Sequence, residues 1–226
     1  SSFDGLGTHG STGNDWNRYD NTIAYASPKI AGFYASAMYS FKADDKAKFG
    51  ANGVENKADA TRYASAGLGY KNGALDAVLV ADYTFYSNVA TNGATGADKK
   101  DNPFKDLNNG WSVVLGGNYD FGVAKAFAKA TYFDNQAAAT DTFKLFENKA
   151  VKGWGVSLST AVPAFGGNFL AEVGYRDAKN VNNHNEEFKR WNTTVGYNYA
   201  FSKRTSVYTT AGWVQEKAKA ANRTPN

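Results

Sequence analysis

The chain has two histidines, His9 and His184, and no cysteine. Hydrolytic chemistry would need one of these imidazoles fixed beside an Asp or a Ser. His9 instead lies in a Gly- and Ser-rich stretch, and His184 lies in Asn182-Asn183-His184-Asn185, so both read as solvated loop residues. No His or carboxylate pair has metal-ligand spacing, and the lack of cysteine removes thiolate sites and disulfides. Gly5-Leu6-Gly7 and Gly116-Gly117 precede no helix, so neither is a phosphate loop. The reading is therefore of a protein that is not an enzyme and needs no cofactor or metal.

What remains is electrostatic. Charged residues recur on one parity of alternating segments, opposite to an apolar parity. Lys125 and Lys129 oppose Ala124, Ala126, Ala128 and Ala130; Asp76 and Asp82 oppose Leu75, Leu79, Ala81, Tyr83 and Phe85. Arg18 and Asp20 oppose Tyr19, Ile23 and Tyr25, while Glu172 and Arg176 oppose Phe169, Ala171, Val173 and Tyr175. Fixed charges lining a narrow aqueous passage set ion preference through their local field. The water-facing tally is balanced, with Arg18, Lys125, Lys129, Arg176 and Arg190 against Asp20, Asp76, Asp82, Asp120 and Glu172. Preference must then depend on height. At about 3.3 Å per residue and a tilt near 45°, each residue climbs roughly 2.3 Å. Lys129 and Glu172 would lie nearest the middle, with Arg18 and Asp20 slightly higher. Arg18 and Lys129 are the expected selectivity residues.

Such residues need strands to hold them. Short turns at Ser27-Pro28-Lys29, Lys71-Asn72-Gly73, 119–122, 162–167 and 201–205 each join two alternating runs. The runs are 18–26 and 30–41, 63–70 and 75–85, 111–119 and 123–133, 154–162 and 169–176, and 191–199 and 206–214. They give about ten strands of eight to twelve residues, enough for a tilted strand to cross a bilayer. Polar loops over 42–60, 86–109, 134–150 and 177–188 separate the hairpins. Short turns at one end and long loops at the other mark an antiparallel, up-and-down transmembrane β-barrel. A Lys or Arg facing lipid at the midplane would cost roughly 2–4 kcal/mol. The charged parity must therefore face water. Lys152 and Lys189 break the rule only at loop-proximal ends, where snorkelling relieves the cost. Aromatic residues gather at strand ends, including Trp111, Tyr132, Trp154, Tyr175, Trp191 and Trp213, as interfacial girdles require.

Composition agrees. No linker divides the 226 residues, so one domain is expected over 1–226. The net charge of +4 is dispersed, with no basic cluster to recruit nucleic acid. A soluble sandwich also alternates, but its core wants Val, Ile and Leu, whereas these strands offer Ala, Gly, Tyr and Phe.

The run Arg18-Tyr19-Asp20-Asn21-Thr22-Ile23-Ala24-Tyr25-Ala26-Ser27-Pro28, with Ala31-Gly32-Phe33 and Tyr39-Ser40-Phe41, resembles the general porins of Gram-negative bacteria, in the branch of the neisserial and Comamonas-type porins. Gly69-Tyr70-Lys71-Asn72-Gly73, Gly117 to Lys125 and Gly196 to Tyr208 extend the resemblance in fixed order. It implies a sixteen-stranded, homotrimeric outer-membrane barrel whose third external loop folds inward, passing ions and small hydrophilic solutes by diffusion. On that template residues 1–17 correspond to the end of the inward loop and Arg18 to the basic residue beside it. The ten strands correspond to the sixth to fifteenth, with the first five and the C-terminal closing strand expected to be missing. A closed ten-stranded barrel is the topological alternative. The functional alternative is a barrel whose long loops serve adhesion or a specific ligand.

Overall fold

The computed structural model describes residues 19–43, 56, 60–86, 108–137 and 150–219. Ten strands form within them: β1 (Thr22–Ala26), β2 (Phe33–Ser40), β3 (Arg62–Asn72), β4 (Leu75–Phe85), β5 (Gly110–Asp120), β6 (Lys125–Ala137), β7 (Ala150–Ala164), β8 (Gly167–Asn180), β9 (Glu187–Ser202) and β10 (Thr205–Lys219). Each pairs antiparallel with its chain neighbours, giving one sheet in the order β1 to β10. Among the described residues β1 and β10 do not pair with each other, so the sheet is open and no ten-stranded closure forms.

The hairpin turns refine the sequence reading. Between β1 and β2 the tight reversal is at Ala31-Gly32, both at positive φ, with Ile30 and Phe33 exchanging backbone hydrogen bonds of 2.8 and 2.9 Å. Pro28 only leads into it. The cause is steric: Gly32 passes so close to β3 that a Cβ there would sit 2.8 Å from the Lys71 carbonyl oxygen. The second turn is centred on Gly73-Ala74, one residue later than the Asn-Gly reading, because Asn72 pairs with Leu75. Positive φ at Gly73 alone fits a type II′ turn rather than the type I′ that Asn-Gly favours.

Strands β7 to β10 run 14 to 16 residues, longer than alternation predicts. Backbone pairing satisfies N–H and C=O groups whatever the side chain, so the ladder continues past the aromatic girdle into polar residues such as Lys179 and Glu187. The loop expected over 177–188 shrinks to 181–186. Asn180 and Asn183 organise it by accepting backbone N–H groups two residues on, at 2.9 and 3.3 Å, and by donating to Glu186. Most of the other three long loops lies outside the described residues.

The two faces of the sheet are inverted relative to a water-soluble protein. On one face Ile23, Leu68, Leu115, Leu158 and Trp191 are all more than half exposed. On the other Ser40, Asp82, Ser112, Arg176 and Asn192 are buried. Hydrophobic burial dominates the folding of water-soluble domains, which would cover the first face and leave the second wet. Here the polar side is the sheltered one.

Candidate pore lining

Because the register is continuous, residues on the polar face form rows that cross the sheet. One row runs Lys71, Asp76, Asn118, Phe127, Ser159, Glu172, Thr194 and Gly212. The next, two residues further along, runs Val78, Gly116, Lys129, Ser157, Gly174, Asn192 and Val214. A third carries Val80, Val114, Thr131, Gly155, Arg176, Arg190 and Glu216. Side-chain period two does the positioning: a one-residue slip in any strand would send its charges to the apolar face.

Lys129 and Glu172 fall on adjacent rows and line one pocket of about 380 Å³, together with Asp76, Asn118, Ser157 and Ser159. Lys129 is flanked on its row by two small residues, Gly116 and Ser157. Glu172 accepts a 3.4 Å hydrogen bond from the Asn192 amide. Asp76 is paired across its hairpin with Lys71 at 3.0 Å. Lys125 begins β6 near the short turn, with its ammonium 5.5 Å from the centre of the Phe127 ring.

Arg176 lies further along β8 and outside that pocket. Its buried guanidinium sits 4.7 Å over the Phe133 ring, and directly across from it Arg190 donates from Nε to Glu216 at 2.7 Å and from Nη2 to the same oxygen. Phe133 and Phe188 belong to a small buried cluster with Val151 and Ala178, all on the polar face. This apolar platform under two arginines was not legible in the alternation. Its signal was present as Phe133, Ala178 and Phe188, which occupy the charged parity without a charge. Asp82 is also buried, its carboxylate accepting from the Ser112 hydroxyl on the facing strand.

Asp20 departs from expectation. Strand β1 starts only at Thr22, and Asn21 at φ 49° breaks the alternation that was extended back to residue 18. Asp20 is instead held by its backbone: its N–H donates to Ala43 at 3.1 Å and its carbonyl accepts from the Ser40 hydroxyl at 2.7 Å. Tyr19, assigned to the apolar parity, stacks on the buried Tyr63 of the polar face with ring centres 4.0 Å apart. The reversal at Asn21 turns it there. Arg18 and His9 lie outside the described residues, and His184 is exposed in the 181–186 loop.

The apolar face carries aromatic rows at the loop end. Trp154 and Tyr175 have centroids 5.3 Å apart, Tyr175 and Trp191 4.5 Å, and Trp111 and Tyr132 5.3 Å. Rings of this kind settle at the boundary between hydrocarbon and headgroups.

The chain is similar to known proteins along most of its length. The description Gram-negative porin matches residues 1–219. An outer membrane porin protein of Bordetella pertussis is 31% identical over 217 residues, covering 84% of this chain and 51% of that protein. Among solved structures, an anion-selective porin from Comamonas acidovorans is 25% identical with a TM-score of 0.59, covering 90% of this chain and 51% of the other. The trimer form of OmpT from Vibrio cholerae, 14% identical with a TM-score of 0.61 over 94% of this chain and 59% of the other, shares the fold. The chain spans about half the length of these relatives. Ten up-and-down strands, a sheltered polar face, a bare apolar face with aromatic borders and a match over residues 1–219 together show that the chain belongs to the Gram-negative porin family, whose place is the outer membrane.

Proposed function

We propose that the protein forms a water-filled channel through which ions and small hydrophilic solutes diffuse passively across the outer membrane, with a mild preference for anions. The inverted sheet carries this reading. A polar face sheltered on one side and an apolar face bare on the other are stable together only when the first meets water and the second lipid. Lumen side chains then act through their field alone, so no bond is made or broken and no catalytic role is assigned. Arg18 and Lys129 are the proposed selectivity residues, with Asp20, Lys125, Glu172 and Arg176 shaping the field around them. The similarity to an anion-selective porin supports the sign, and that to a trimeric outer-membrane protein supports a homotrimer.

Single-channel recording of the full-length protein in planar bilayers tests the proposal. Stepwise conductance is expected. A folded protein that gives none would favour the alternative, in which the long loops serve adhesion or a specific ligand.

A further inference from the structure

The polar face holds two opposite charges that do not neutralise each other. Lys129 on β6 and Glu172 on β8 line one pocket, yet they do not form an ion pair together. The register explains the gap. Lys129 pairs with Ser157 and Ser157 with Gly174, so Glu172 stands two strands across and two residues along. With strands about 4.8 Å apart and about 3.3 Å of rise per residue, their backbone positions are about 12 Å apart. Strand β7 lies between them and lines the pocket with Ser157 and Ser159, while Asn118 lines it from β5. Among the described residues the hydrogen bond to Glu172 comes from the Asn192 amide and goes to Oε1, which leaves Oε2 able to accept another. Asp76, the other carboxylate of the pocket, is already paired with Lys71 at 3.0 Å. The Lys129 ammonium has three donors, enough to hold a carboxylate beside another acceptor.

We infer that this pocket is a binding subsite for small zwitterions, solutes that carry one carboxylate and one ammonium group, such as ω-amino acids and short peptides. The inference rests on the channel reading and names a solute class for it. Lys129 takes the carboxylate and Glu172 the ammonium, while Ser157, Ser159 and Asn118 offer hydrogen bonds to the polar atoms between. Side chains stand off one face of a sheet roughly in parallel, so the span of about 12 Å carries over to their charged ends. Subtracting about 2.8 Å for each charge-assisted hydrogen bond leaves about 6 Å between the solute's own charges. An anion alone gains Lys129 but meets the opposing field of Glu172, and a cation alone meets the reverse. Only a solute with both charges is favoured at both ends.

The test titrates γ-aminobutyrate, butyrate or n-butylammonium, solutes of one chain length, into potassium chloride at neutral pH while single-channel current through the full-length protein is recorded. γ-Aminobutyrate should reduce or interrupt the current with an apparent affinity about fivefold above that of either singly charged analogue, the gain of one further ion pair in water. Lys129→Gln and Glu172→Gln should each remove that advantage, and Lys129→Arg should retain it. In a channel that conducts, an affinity for γ-aminobutyrate no higher than for its analogues overturns the inference and leaves the channel reading intact. A protein that folds without conducting overturns both. Should either Gln variant fail to fold, the comparison of solutes on the wild-type channel decides alone.

Discussion

Two adjacent residues of β7 give the sharpest test of which face meets lipid. Leu158 lies on the apolar face, 61% exposed, between Ala128 and Val173 on the neighbouring strands. Ser157 lies on the polar face, between Lys129 and Gly174. Leu158 is seven residues from Phe165, the first residue of the short turn. At roughly 2.3 Å of climb per residue it stands about 16 Å from that tip, near the middle of an apolar band about 25 Å tall. Leu158→Arg should therefore cost roughly 2–4 kcal/mol, the penalty of a cation at the lipid midplane. Ser157→Arg, which puts the same side chain at almost the same height into water, should cost less than about 1 kcal/mol. Reversible guanidinium unfolding of both variants in lipid vesicles, followed by tryptophan fluorescence, measures the difference. If Ser157→Arg destabilises as much as Leu158→Arg, or more, the assignment of faces is wrong.

Other expectations follow from the lumen. Neutralising Lys129 or Arg18 to Gln should each move the zero-current potential in a salt gradient toward cation preference; no movement in either variant would remove both as selectivity residues. Glu172→Gln should move it the opposite way, and the amide can still accept from Asn192, so stability should be unaffected in the same unfolding assay. Gly153 faces β8 so closely that a Cβ would sit 2.1 Å from the Asp177 carbonyl oxygen. Gly153→Ala should accordingly lower stability by about 1–3 kcal/mol, visible as an earlier unfolding midpoint, with the ion preference unchanged.

Strand number, order and facing were legible because period-two alternation is a local signal, written into pairs such as Lys125 with Lys129 and Leu75 with Leu79. Strand ends were less so. Alternation of apolar residues stops at Trp154 and Tyr175, whereas the backbone ladder runs on to Ala150 and Asn180. Turn centres moved for a similar reason: Gly32 is fixed by its approach to Lys71, a contact across two hairpins that local sequence does not encode. Asp20 illustrates the limit most plainly, since a single positive φ at Asn21 detached it from the strand whose parity it was assigned. The platform of Phe133 beneath Arg176 depends on three strands coming into register, and no single strand displays it.

The polar rows have a pitch. Asp76 is the second residue of β4, Phe127 the third of β6 and Glu172 the sixth of β8, while Thr194 is ninth from the end of β9. Followed from strand to strand, the row that joins them rises steadily away from the short turns. From Asp76 to Glu172 the rise is about 9 Å. Asp76 and Glu172, two of the charges on this row, are thus displaced from each other both around and along the axis. In the proposed channel an ion would meet these two charges in succession rather than at one level. Selectivity built this way is graded, so each neutralisation should remove a share of it and none should abolish it.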